Sequence, residues 1–308
     1  MDRPELAPQL NFLTVPGPAA RGGRPRRLAW WDWPCAGPQD HIVVCVHGLS
    51  RQGRDFDVLA RHLASWARVV AVDVAGRGHS DWLADPMAYQ LGTYVADLTA
   101  LIAHLRQEVP AARLDWVGTS MGGLIGIALA AQPAVGLRRL VLNDVGPVIR
   151  WEALQRIASY LGLDPSFASE QEAVDYLAGI SAGFGPHSPA QWLALSRPML
   201  RECGGRWRLH YDPAIAEPMR ALMTQPDEAA SRQALEQGEA ALWALYDQIT
   251  APTLLLRGAD SDLLTPETAR AMASRGPRAR CVTFAGVGHA PTLVSDDQVD
   301  AVAAFVLD

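Results

Sequence analysis

One pentapeptide constrains this chain more than any other feature. Gly118-Thr119-Ser120-Met121-Gly122 stands directly between a short β-prone run, Leu114 to Val117, and an apolar helical one, Leu124 to Ala131. A chain that passes from strand to helix in so few residues must turn tightly. The residues flanking the serine are therefore small, and Ser120 is pushed into a strained, exposed position. The helix N-terminus beneath it favours negative charge developing there. A GxSxG match arises by chance in roughly one chain in ten of this composition; the strand–turn–helix setting is what chance rarely supplies.

The rest of the chain supplies a frame for that turn. Leu10 to Val15 and Arg27 to Trp33 are β-prone and are separated by a Pro/Gly/Arg stretch suited to a long hairpin connection. Ile42 to Val46 is a continuous apolar run, as expected of a strand buried on both faces. Phe56, Leu59, Leu63 and Trp66 have helical spacing, Val69 to Val72 is the next strand, and Thr93 to Leu105 is an amphipathic helix. After the strand Leu140 to Leu142 the rhythm stops, to resume with Pro252 to Arg257, Pro266 to Ser274, Arg280 to Phe284 and Asp297 to Val306. The pattern predicts an α/β fold: a mostly parallel eight-stranded sheet with helices on both faces, from residues 1–146 and 250–308, and a helical cap over 147–249 inserted after strand six. Ligands bind such sheets at the carboxyl ends of strands.

Composition removes several functions. All 27 basic residues are Arg; without Lys there is no phosphate loop of the GxxxxGK type and no Schiff-base lysine. A net charge of −6 argues against a nucleic-acid partner. No apolar run approaches the ~18 residues of a membrane span. Met1 to Gln9 carries Asp2 and Glu5 rather than a charged-then-apolar leader, so a cytoplasmic protein is expected. Cys35, Cys45, Cys203 and Cys281 form no CxxC pair, which points to neither a metal nor a redox motif. Cys45 and Cys281 lie in apolar runs and are expected to be buried.

A serine hydroxyl needs a base, itself oriented by a carboxylate. Among eight histidines, His289 follows the last strand in Gly288-His289-Ala290-Pro291, where a loop can bring an imidazole over the sheet. The chain order Ser, Asp, His places the acid after strand seven, in Asp260-Ser261-Asp262. Asp262, four residues before the helix start at Pro266, is preferred over Asp260, with Asp144 after strand six as a third option. Two backbone N–H donors should face the developing oxyanion: Met121, after the serine, and Leu49, in His47-Gly48-Leu49-Ser50. His47 is a second candidate base, although an HG pair at a strand end is more often structural.

These residues together resemble the α/β-hydrolase superfamily over nearly the whole chain. The matching pieces are His47-Gly48-Leu49, Asp73 to Gly78, Gly118 to Gly123, Gly258 to Pro266 and Gly288-His289. Cys45 to Arg51 with Asp55-Phe56 look like a branch of bacterial carboxylesterase-like hydrolases. The resemblance implies a Ser–His–Asp hydrolase, Ser120, His289 and Asp262, acting on a small-molecule ester under a cap and without a cofactor. Lactones, hydroxyacid oligomers and simple aliphatic esters all fit it. A Ser-Met-Gly-Gly elbow also occurs in hydrolases that cleave a carbon–carbon bond of a vinylogous diketone, but Leu49-Ser50-Arg51 lacks their Gly-rich oxyanion loop. The inserted stretch holds ten of the chain's 22 aromatics, which suggests an apolar pocket. Arg51 and Arg54, next to the oxyanion loop, are candidates either to meet a substrate carboxylate or to be solvated surface arginines.

Overall fold

Eight strands line up in the order β1-β2-β4-β3-β5-β6-β10-β11 in the computed structural model, which describes residues 7–17, 23–35, 40–224 and 227–308. Residues 1–6, which include the Asp2 and Glu5 of the expected leaderless N-terminus, and 18–22, within the first hairpin connection, lie outside the described residues. The strands are β1 (Gln9–Val15), β2 (Arg26–Trp33), β3 (His41–Val46), β4 (Arg68–Asp73), β5 (Arg113–Thr119), β6 (Arg139–Asn143), β10 (Thr253–Gly258) and β11 (Arg280–Phe284). Only the β1–β2 and β2–β4 pairings are antiparallel; from β4 to β11 every pairing is parallel.

Alternation along β3 explains the layers. Ile42, Val44 and Val46 pack into one core with Leu98 and Leu101 of α2 (Leu91–Glu108) and Ile125 of α3 (Met121–Ala130). Val43 and Cys45 face the other way, towards Leu59 and Leu63 of α1 (Asp57–Leu63) and Val302 and Val306 of α10 (Asp296–Leu307). Period two in a strand sends successive side chains to opposite faces, so an unbroken apolar run needs a helical layer on each side. Each buried aliphatic side chain contributes about 1.5–3 kcal/mol. Helix α1 ends at Leu63, and Trp66 beyond it is 54% exposed, so the expected inward stripe stops one turn early. Helix α9 (Pro266–Ser274) starts at the proline, with the Thr265 hydroxyl accepting from the Thr268 N–H.

The chain leaves the sheet after β6 and returns at β10. Between them lie α4 (Trp151–Tyr160), α5 (Glu170–Ile180), α6 (Pro189–Ser196), α7 (Glu217–Met223) and α8 (Glu228–Tyr246). The inserted segment is not purely helical. It also carries a small antiparallel sheet, β7-β9-β8, of β7 (Ser166–Phe167), β8 (Leu200–Cys203) and β9 (Arg206–Leu209). Gly204 and Gly205, both with positive φ (60° and 75°), make the two-residue turn between β8 and β9. A Gly-Gly pair between short runs is a hairpin signal, here masked by arginines on the exposed strands.

Cys281 faces solvent on the edge strand β11 instead of lying in the core, whereas Cys45 is buried as expected. No described helix is long and apolar enough to cross a membrane.

Candidate active site

The sheet reverses its strand order around β3: β4 lies on one side and β5 on the other. Loops leaving β3 and β5 therefore diverge and open a crevice at the carboxyl ends of the strands. Ser120 occupies the β5–α3 turn with φ +50° and ψ −114°, a left-handed backbone that a serine rarely adopts. The turn closes this tightly because its flanks lack side chains. A Cβ on Gly118 would lie 2.3 Å from the Gly122 carbonyl oxygen, and one on Gly122 would lie 2.0 Å from that of Val46.

His289, on the loop after β11, reaches this serine: its Nε2 lies 3.0 Å from Ser120 Oγ. Its Nδ1 lies 2.7 Å from Oδ2 of Asp144. The carboxylate that meets the histidine is thus Asp144, which directly follows β6, and not Asp262. Asp144 is fully buried. Its Oδ1 accepts from the Gly258 N–H (2.9 Å) and its Oδ2 also accepts from the Ser261 hydroxyl (2.6 Å). With three donors, the buried charge is solvated by the protein. Its backbone has φ +54°, a region that Asp tolerates better than most residues.

Asp262 points elsewhere. It is 46% exposed and forms a two-pronged pair with Arg156 of α4, at 2.6 and 3.0 Å. Asp260 is also exposed; its N–H holds the Val287 carbonyl at the base of the histidine loop. The Asp260–Asp262 loop therefore contributes a serine and a backbone donor to the site, where an acid was expected. Ser261 between the two aspartates was missed because a hydroxyl donor to a buried carboxylate has no sequence signature. Asn143 was missed for the same reason. Its Nδ2 donates to Thr119 Oγ1 (3.0 Å) and to the Pro291 carbonyl (2.8 Å), joining the serine turn to the histidine loop.

Met121 and Leu49, expected as oxyanion donors, flank the serine. Met121 is the first residue of α3, where N–H groups lack intrahelical acceptors. Gly48 lies against the serine turn: a Cβ there would sit 3.7 Å from that of Ser120. His47 is no second base. Burial drives its pKa down to about 3, with Arg77 and Arg51 adding to the depression. Its Nε2 accepts from the Val74 N–H (3.0 Å), so Nδ1 carries the proton and donates it to the Gly48 carbonyl (2.6 Å). Neutral His47 thereby fixes the peptide whose N–H belongs to Leu49.

The serine and histidine open onto a cavity of about 110 Å³ between the sheet and the inserted segment. Ile157, Leu177, Phe184 and Met199 make its apolar wall, and Ser50, Arg51, Arg156 and Thr292 give it polar points. Arg51 is held by Asp55 (2.6 and 2.7 Å) and donates to the Leu195 carbonyl (3.0 Å). Arg54 pairs with Asp57 and lines a separate, larger cavity of about 640 Å³, away from the serine. Among the described residues no cluster of His, Cys, Asp or Glu is arranged to hold a metal ion.

Comparison with known proteins agrees with this fold. The Alpha/beta hydrolase family matches residues 43–305. A 3-hydroxybutyrate-oligomer hydrolase of Cupriavidus necator is 43% identical over 304 residues, 97% of this chain and 98% of the relative. An esterase of Mycobacterium tuberculosis is 28% identical over 271 residues, 86% of this chain and 80% of its own. A crystal structure of an alpha/beta hydrolase from Novosphingobium aromaticivorans superposes with a TM-score of 0.81 at 34% identity, covering 98% of each chain.

Proposed function

The chain belongs to the Alpha/beta hydrolase family, and from that membership we propose that it is a serine hydrolase of carboxylic esters, with short hydroxyacid oligoesters as its substrate class. The observation that carries this reading is the unbroken relay from Asp144 through His289 to Ser120, opening on a cavity with largely apolar walls. Asp144 accepts the Nδ1 proton of His289 and so leaves Nε2 free to take the Ser120 proton. Ser120 Oγ then attacks the ester carbonyl, and the oxyanion that forms faces the Leu49 and Met121 N–H groups. His289 returns the proton to the departing alcohol, leaving an acyl group on Ser120. Water, deprotonated by the same imidazole, releases the acid and restores the serine.

The substrate class rests on the Cupriavidus necator relative, which matches almost end to end, and on the make-up of the cavity. Apolar walls suit the methyl and methylene groups of a hydroxyacid, and Ser50, Arg51, Arg156 and Thr292 suit its repeated ester and terminal polar groups. In this reading residues 147–249 act as a cap over the site, with Asp262 and Arg156 tying it to the sheet.

The test pairs labelling with a substrate panel. A fluorophosphonate should modify Ser120 in the wild type and not in Ser120→Ala. Ser120→Ala should lose about 10⁶ in kcat while keeping its Tm, and adding His289→Ala should change little, because residues that act as a unit are not additive. Dimers and trimers of 3-hydroxybutyrate, aliphatic esters and a vinylogous diketone are then compared by kcat/KM. Faster cleavage of the diketone would overturn the ester reading in favour of carbon–carbon hydrolysis.

A further inference from the structure

Arg77 is the one completely buried arginine of the described chain, with none of its side chain reaching solvent. Among the described residues it forms no ion pair. Its partners are neutral. Nε donates to the Leu49 carbonyl (2.8 Å), and Nη1 donates to the Ala75 carbonyl (2.6 Å) and the Tyr94 hydroxyl (2.9 Å). Nη2 points at the Met121 sulfur, 3.8 Å away. The guanidinium also lies 5.2 and 5.6 Å from the ring centres of Tyr94 and Tyr89.

Burying a cation without a counter-charge is costly, and a fold that needed only packing there would use an apolar side chain. The choice of partners gives the cost a purpose. Leu49 and Met121 belong to different strand-end loops, after β3 and after β5, and they are the two residues whose N–H groups face the oxyanion in the proposed reaction. One rigid guanidinium fork touches both.

We propose that Arg77 is a positioning residue of the oxyanion hole, holding the Leu49 and Met121 loops in register while its unpaired positive charge favours the anion that forms between them. The inference rests on the ester-hydrolase reading and adds to it a third, indirect contributor. His47 fixes the Gly48 carbonyl on one side of Leu49, and Arg77 fixes the Leu49 carbonyl on the other. The donor N–H is therefore clamped at both ends. In a water-poor site, the fixed charge acts on the tetrahedral anion far more than on the uncharged ester.

The experiment compares Arg77→Met and Arg77→Lys with the wild-type full chain. Each protein is assayed for kcat and KM on one ester, for inhibition by a boronic acid that forms an anionic tetrahedral adduct, for fluorophosphonate labelling and for Tm. Arg77→Met should lose about 10²-fold in kcat with KM within threefold, the range of a lost oxyanion interaction. Inhibition by the boronic acid should weaken by about the factor lost in kcat/KM. Arg77→Lys keeps the charge but cannot span both loops, and should lose about tenfold in both readings. The proposal fails if folded Arg77→Met keeps kcat within twofold, or if the loss appears in KM alone. Should Arg77→Met not fold, Arg77→Lys decides: wild-type kcat and inhibition overturn the proposal. A wild type that neither labels nor hydrolyses esters would instead sink the functional reading beneath it.

Discussion

Two loops at the same end of the sheet each offer an aspartate, and only one of them meets the histidine. After β6, Asp144 is wholly buried and holds three donors. After β10, Asp262 is half in water and holds an arginine from the inserted segment. In the proposed reaction, what selects the acid is not its place in the order Ser, Asp, His, which both satisfy, but a pocket able to solvate a charge without water. The two loops also cooperate. The β10 loop wraps around Asp144 with the Gly258 N–H and the Ser261 hydroxyl, and sends its own acid outward.

Asparagine substitution would separate the pair most sharply. Asp144→Asn keeps the shape but favours the wrong imidazole tautomer, and kcat should fall by about 10⁴. Its Tm should be followed beside the rate. Full activity in this variant, with Asp262→Asn inactive, would reverse the assignment. Next in size is Ser261→Ala, which removes one hydrogen bond to a charged group; a loss of about tenfold in kcat is expected, since such bonds contribute about 1.5–3 kcal/mol. Asp262→Asn should change kcat by less than about threefold. An exposed pair contributes about 0–1 kcal/mol, so Tm should drop by a few degrees at most; any change should appear in KM, through the tie between α4 and the sheet.

The remaining expected effect is on acid stability. His47 in the site and His210 in the inserted segment are both held down by burial, to about 3 and about 4. Unfolded histidines take up protons near pH 6.5, so the unfolded state binds more protons below that value. Stability should therefore fall as pH drops from about 6.5 towards 4. Asp73, raised to about 6 by burial, binds its proton earlier in the folded state and opposes this trend between about pH 6 and 4. His210→Gln should flatten a plot of Tm against pH; an unchanged slope would show that His210 carries no share.

What the sequence disclosed depended on how local each signal is. Ser120 was legible because a strand, a turn and a helix occur within a dozen residues, and the glycines that permit the turn are part of the motif. His289 was legible as a lone histidine after the last strand. Asp144 was legible only as a third option, because its partnership depends on three groups 114 to 145 residues away. The same limit hid Arg77, which reads as one more basic residue in an arginine-rich chain until its burial is seen. The sheet followed from apolar runs of the right length. Its errors lie at margins: Trp66 one turn past a helix end, Cys281 on an edge strand, and a Gly-Gly hairpin inside a segment read as helical.

The outward turn of Asp262 has a mechanical consequence. If the inserted segment caps the site as proposed and swings for molecules to enter and leave, something must bear the load at its anchor. Here an anchor is a water-exposed Asp262–Arg156 pair, which can part and re-form at little cost. The Asp144–His289 contact lies on the sheet side and is spared that traffic. In the proposed reading, an entrance built this way would open and shut through many turnovers without the proton relay losing its alignment.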